Sequence, residues 1–174
     1  MRRVLPPVVV LLVVLTGCGN TSSPRLWGAF TERGVNSIAM KPGRNVRMFT
    51  DVNLDAHGYI KYDKASGRLA LEPGSYRVDG WSLTMFGFTP EQRAVAYSAP
   101  GNAFLWNVDK NDVEILASVA DPLDSSPSII NGVLRVDRTT QYYFGHQNGD
   151  KVDGISLETP AADRAFAQLV IERL

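Results

Sequence analysis

Groups able to do acid-base, nucleophilic or metal chemistry are scarce in these 174 residues, which carry two histidines, His57 and His146, and one cysteine, Cys18. Neither His-x-x-x-His nor Cys-x-x-Cys spacing occurs, which removes the common zinc signatures, and no Gly-x-Ser-x-Gly elbow is present. The run Asp109-Lys110-Asn111-Asp112-Val113-Glu114 offers oxygens of the kind calcium takes, without the glycine and spacing of an EF-hand loop, so it reads as a solvated hairpin turn. The carboxylates fall in turn-rich stretches rather than among apolar residues, where a tuned acid-base pair belongs. The pattern predicts a protein that is not an enzyme and that uses neither cofactor nor metal.

Binding is the remaining chemistry. His146 alternates with Tyr142 and Phe144 and precedes Gln147-Asn148-Gly149-Asp150. Two readings fit it: a polar group facing a sugar or carboxylate at a sheet end, or a half-buried histidine tied to a backbone carbonyl beside a turn, and the second is preferred. His57, in Asp55-Ala56-His57-Gly58, reads as a turn residue. Trp81, Trp106, Tyr142 and Tyr143 are the aromatics best suited to a sugar-stacking platform or a protein anchor, so with His146 they form the candidate ligand-binding set. Trp106 stands in a run that is apolar on both parities, and a core role is favoured for it and for Trp81. Tyr142 and Tyr143 must point to opposite faces of a strand.

Elements that would position these residues begin after an export signal. Arg2 and Arg3 precede the uncharged run 4–16, which is too short to span a bilayer core and suits a signal peptide. The segment closes in Leu15-Thr16-Gly17-Cys18, which resembles the bacterial lipobox. The resemblance implies cleavage before Cys18 and lipid on its sulfur, and several acyl chains give durable anchoring. The expected organisation is signal peptide 1–17, lipidated cysteine and flexible tether 18–25, and one β domain over 26–174. Gly19 stands where an aspartate would signal inner-membrane retention, so outer-membrane delivery is expected in an organism with two membranes. Loss of Arg2 and Arg3 leaves 16 basic against 18 acidic residues, a charge of −2, without the basic stripe that a nucleic-acid partner requires.

Short β-type runs separated by Gly, Pro, Asn and Asp recur along the rest of the chain. Ile60 and Tyr62, then Leu69 and Leu71, alternate on either side of the turn residues 63–67 and predict a hairpin. Glu72-Pro73-Gly74-Ser75 reads as a type II turn with positive φ at Gly74. Tyr76, Val78 and Gly80 share one parity and Trp81, Leu83 and Met85 the other, which predicts a bulge or a sheet crossing at Gly80. Further strands are expected at 94–97, 103–108, 113–119, 129–136, 141–146, 152–157 and 166–173, with Asn148-Gly149 as a tight turn. The fold class is all-β, an antiparallel β-sandwich of jelly-roll type with about ten short strands.

Within it, Gly67 to Gly80 (GRLALEPGSYRVDG) resembles the part of the C1q and tumour-necrosis-factor-like jelly rolls in which a strand ending in a Pro-Gly turn leads into a tyrosine-bearing strand. The apolar C-terminal run Phe166 to Ile171 is similar to the family's last strand. The resemblance implies a compact homotrimer that binds rather than catalyses, although this chain carries a short tether in place of a collagen-like stalk. The expected function is therefore a membrane-anchored envelope lipoprotein with a non-catalytic binding or self-assembly domain. Alternatives are a carbohydrate- or peptidoglycan-binding module, a secretion-system or envelope-assembly lipoprotein, and a hydrolase. Expected partners are the membrane, through Cys18, copies of the chain itself and an unidentified protein or glycan, but no nucleic acid. An exposed row of aromatics would favour sugar; a broad apolar sheet face would favour self-association.

Overall fold

Strands whose apolar residues recur at every second position need a second sheet to cover them. The computed structural model describes residues 25–34, 43–84, 101–120, 126–147 and 165–174, and in these the chain forms eleven strands. They are β1 (Leu26–Arg33), β2 (Arg44–Val46), β3 (Asp51–Asp55), β4 (Ile60–Asp63), β5 (Arg68–Leu71), β6 (Gly74–Ser82), β7 (Asn102–Asn107), β8 (Asp112–Val119), β9 (Ser128–Val136), β10 (Thr140–Gln147) and β11 (Ala165–Arg173). All pairings are antiparallel: a five-stranded sheet runs β3-β1-β11-β6-β9, and a six-stranded sheet runs β4-β5-β10-β7-β8 with β2 on β10. This is the jelly-roll sandwich expected from the strand pattern, and the C-terminal run is a strand.

Register fixes which residues meet in the core. Across the five-stranded sheet, Phe30, Leu169, Gly80 and Ile130 stand in one inward row, with Gly28, Ile171, Val78 and Gly132 in the next. From the other sheet Leu69, Leu71, Tyr142, Phe144, Ala103 and Leu105 point toward them and complete the buried cluster. Phe49, on the segment after β2, stacks on Phe144 at 6.0 Å and packs against Phe30 and Tyr62, closing one side.

Two sequence expectations change. Gly74 does not take positive φ; it opens β6 in extended backbone, and a Cβ there would meet the Arg173 side chain at 2.9 Å. Within 60–84 the left-handed position is Gly67, φ +70°, in the β4–β5 turn, where a Cβ would lie 2.8 Å from both Met48 and Val46. At Gly80 there is no bulge or crossing: β6 keeps one register with β9 and β11 through Ser82. The inward positions simply cease to be apolar, because Gly80 admits the Leu169 backbone and Ser82 is a buried hydroxyl.

Strand directions give the sandwich two unlike ends. At one, short turns at 56–59, 72–73, 108–111 and 137–139 join neighbours, and both the first described residue, Arg25, and the C-terminal Leu174 lie there. At the other, β1, β6, β8 and β10 end where the longer connections 34–43, 83–101, 120–127 and 148–164 begin, and the one short reversal on that side is the β4–β5 turn at 64–67. Cys18, the expected strands at 94–97 and 152–157 and the Asn148-Gly149 turn lie outside the described residues.

Candidate functional site

The last inward row at the connector end is polar except for Ala167. Glu32 on β1, Ala167 on β11, Ser82 on β6 and Ser128 on β9 are register neighbours, and His146 faces them from β10. Arg47 enters between the sheets just after β2, its backbone N–H held by the Phe144 carbonyl at 2.8 Å. The Arg47 Nε donates to Ser82 Oγ at 2.8 Å, one terminal nitrogen donates to the Leu83 carbonyl at 2.5 Å, and the other lies 3.6 Å from Glu32 Oε1. His146 Nδ1 is 2.9 Å from Ser82 Oγ. A chain Glu32–Arg47–Ser82–His146 thus joins the ends of three strands and the segment after β2.

Ser82 Oγ accepts from Arg47 and keeps both a second lone pair and its own hydrogen, so its contact with His146 Nδ1 serves either neutral imidazole tautomer. His146 Nε2 is buried without a partner among the described residues, as are Glu32 Oε2 and Thr84 Oγ1. Burial, reinforced by the Arg47 charge, pushes the His146 imidazole down to about 3, so it is neutral at physiological pH. Burial pushes the Glu32 carboxyl up, and the Arg47 guanidinium offsets part of that shift. The neighbouring strand ends are tied in the same way: Ala103 N–H donates to Ser128 Oγ, Ser128 Oγ–H to the Ser118 carbonyl, Leu83 N–H to Phe166 and Ala120 N–H to Gly101.

A serine hydroxyl on an imidazole nitrogen is the contact of a nucleophile with its base. Here both residues are fully buried and the hydroxyl oxygen is occupied by a guanidinium. The arrangement holds strand ends; it does not present a nucleophile to solvent. Among the described residues no group of three or more His, Cys, Asp or Glu could hold a metal ion.

The other sequence candidates disperse. Tyr142 points inward and is buried, its phenol pushed up to about 12 by burial, while Tyr143 points outward and is half-buried. Outside the six-stranded sheet Tyr143 stacks on Trp106 at 6.1 Å, Phe104 meets both rings edge-on, and the Arg44 guanidinium lies 3.8 Å from the Trp106 centroid. Trp106 is consequently buried, on the face away from the core. Trp81 lies on the outward face of the other sheet, half-exposed, its indole N–H 3.3 Å from Gln168. The five candidates therefore form no single surface. Reasoning from sequence gave His146 no side-chain partner and passed over Glu32, Arg47, Ser82 and Thr84. Their signal was a polar residue on the inward parity, as in Gly28-x-Phe30-x-Glu32 and Tyr76-x-Val78-x-Gly80-x-Ser82.

No protein-family model matches the chain, and no curated protein does. Among solved structures, two crystal structures of murine APRIL, at pH 8.5 and pH 8.0, are similar to it with TM-scores of 0.55 and 0.54. Each is 10% identical, over 86% of this chain and 99% of that one. At that identity the likeness is one of fold: the chain has a tumour-necrosis-factor-like jelly roll.

Proposed function

We propose that this chain is a lipid-anchored envelope lipoprotein whose jelly-roll domain works by association, with copies of itself or with a protein ligand, and without catalysis. One observation carries the association half: Leu116 and Val119 on β8 and Ile129 and Val133 on β9 are all 58–67% exposed. β8 and β9 are the terminal strands of the two sheets and lie side by side, with Ile115 against Gly132 and the Ile129 N–H on Ser118 Oγ. Four aliphatic side chains thus form a ridge along one wall. Beside it, Trp81, Val170, Ala29 and Trp27 interrupt the charged residues on the outward face of the five-stranded sheet. A ridge and a face on different sides of one chain suit a heterologous contact, which closes into a ring when copies repeat it. A homotrimer is the reading the fold resemblance favours.

The anchoring half rests on Leu15-Thr16-Gly17-Cys18 and the uncharged run before it. With Gly19 after the cysteine, the destination is the outer membrane where two membranes exist. A sugar-binding role is less well supported, because the described aromatics of the candidate set share no exposed row. The mass in solution of residues 19–174 tests association: a trimer that Val133→Asp reduces to a monomer is expected, and a wild-type monomer defeats self-assembly. Detergent partitioning of Cys18→Ala tests anchoring. The expected result is an unprocessed or aqueous-phase protein, and normal processing with equal membrane recovery defeats the lipoprotein reading.

A further inference from the structure

We propose that the turn end of the sandwich, around Arg25, Leu54 and Leu174, is a lipid-docking surface that rests on the anchoring membrane and leaves the connector end facing outward. This rests on the lipoprotein reading of Cys18. Chain geometry supplies the first argument. From Cys18 to Arg25 the chain can extend at most about 25 Å, at roughly 3.5 Å per residue. Leu26, the first residue of β1, pairs with Arg173 at the turn end. The nine-residue β11 spans about 30 Å at ~3.4 Å per residue, so the tether holds one end at the surface and the sandwich carries the other away from it.

Composition supplies the second argument. Leu54 on the edge strand β3 is 41% exposed and Leu174 is 67% exposed. They flank the exit of the tether: Leu54 pairs with Gly28 of β1, and the Leu174 N–H donates to the Ser75 carbonyl two strands away. Trp27 is half-buried on the same row as Asp55, and Arg25 beside it is highly exposed with its guanidinium 3.6 Å from Glu172. Exposed leucines with an arginine at one end suit a membrane interface, since the apolar bodies enter the headgroup layer and the guanidinium stays in water.

Because Cys18 is the sole cysteine and acylation blocks its sulfur, an introduced cysteine is the one free thiol of the mature protein. The test places a fluorophore on Leu174→Cys at the turn end or on Ser126→Cys, exposed at the connector end, in the full lipidated chain. Each is reconstituted in phosphatidylcholine vesicles containing a lipid with a nitroxide on its headgroup. Strong quenching at position 174 and little at 126 is expected, and adding Leu54→Asp should weaken the former while leaving co-flotation intact. Equal quenching at both positions, or stronger quenching at 126, overturns the orientation; quenching at 174 that ignores Leu54→Asp overturns the contact. Protein that does not float with the vesicles at all defeats the anchor itself, a result separable from the others by the gradient alone.

Discussion

The turn end and the connector end solve the same problem, how to finish a strand, by opposite means. At the turn end the chain reverses in two to four residues, and its polar groups are met by nearby backbone and by water. Tyr59 N–H returns to Ala56, Tyr76 Oη donates to the Glu72 carbonyl at 2.7 Å, and the charges pair in the open, as Arg135 does with Asp137. At the connector end the strands part company, and the space between the sheets is closed by Glu32, Arg47, Ser82 and His146, none of them close in sequence. Exposed pairs contribute little to stability, whereas a buried chain of polar groups is costly to interrupt, so mutational sensitivity should concentrate at the connector end.

Arg47→Met tests this most severely. It removes the donor to Ser82 and the only cation beside the largely buried Glu32 carboxylate among the described residues, and breaking such a pair costs about 3 kcal/mol. Denaturant melts should show that loss, and hydrogen exchange should place it in β1, β6 and β10. Adding Glu32→Gln should recover part of it, because the orphaned charge is then gone. A variant as stable as the parent would mean that the buried chain is decoration.

Two glycines sharpen the contrast at the backbone. Gly67→Val puts a β-branched residue at φ +70° and drives its Cβ to 2.8 Å from Met48 and Val46, so a loss of about 2–3 kcal/mol is expected. Gly74→Val, at the turn end, needs no forbidden φ; its Cβ would crowd the Arg173 side chain at 2.9 Å and touch the Tyr76 ring at an ordinary 3.4 Å. About 1 kcal/mol or less should follow. Equal midpoints in urea for the two variants would remove the distinction.

Acid probes the same asymmetry through one residue. The His146 imidazole has a folded value of about 3 against an ordinary 6.5, so below pH 6.5 the unfolded chain takes up a proton that the folded chain refuses. Its contribution is complete above pH 6.5 and is lost as pH falls toward 3; by pH 5 the loss is about 2 kcal/mol, at ~1.4 kcal/mol per unit. Glu32 acts with the opposite sign, since its raised carboxyl favours the folded state as pH falls through its own titration toward 4.5. Melts at pH 7 and pH 5 on the parent and on His146→Gln isolate the histidine. The parent should lose more stability than the variant between the two, and parallel losses would show that His146 is not held neutral.

Which parts of this were legible in the sequence follows from the same division. The β4–β5 hairpin and β8 to β11 were readable because apolar residues alternate between turn formers, and β7 because a continuous apolar run stands between them; the jelly-roll class followed from these strands. β1 to β3 were not, since Gly28 and Glu32 occupy inward positions of β1, β2 has three residues, and β3 is an acidic edge strand. The predicted crossing at Gly80 arose from the same cause: a parity rule that expects apolar residues inward misreads a strand whose last inward residues are Gly80 and Ser82. His146 could be flagged as a residue beside a turn, yet its partner lies 64 positions away on the opposite sheet and meets it across the sandwich rather than by any local spacing. The candidate aromatics were chosen by type, and type says nothing of which sheet face they occupy.

The smallest expected effect is the most discriminating. Lys110 and Glu114 at the turn end pair at 3.0 Å, closer than the 3.6 Å between Arg47 and Glu32. If distance set the strength, Lys110→Ala would be the worse lesion. It should not be, because the Lys110 side chain is 64% exposed and water screens the pair, and because Glu114 retains the Asn107 amide at 2.8 Å after the lysine is gone. Arg47 is 5% exposed, so solvent screens its pair far less. A loss of about 0.5 kcal/mol or less is therefore expected for Lys110→Ala, measured beside Arg47→Met in the same denaturant series and at two salt concentrations. The Lys110 effect should shrink further in high salt while the Arg47 effect persists. If instead the two variants lose comparable stability with the same salt response, burial does not separate the two ends, and the reason given for the connector end's sensitivity fails with it.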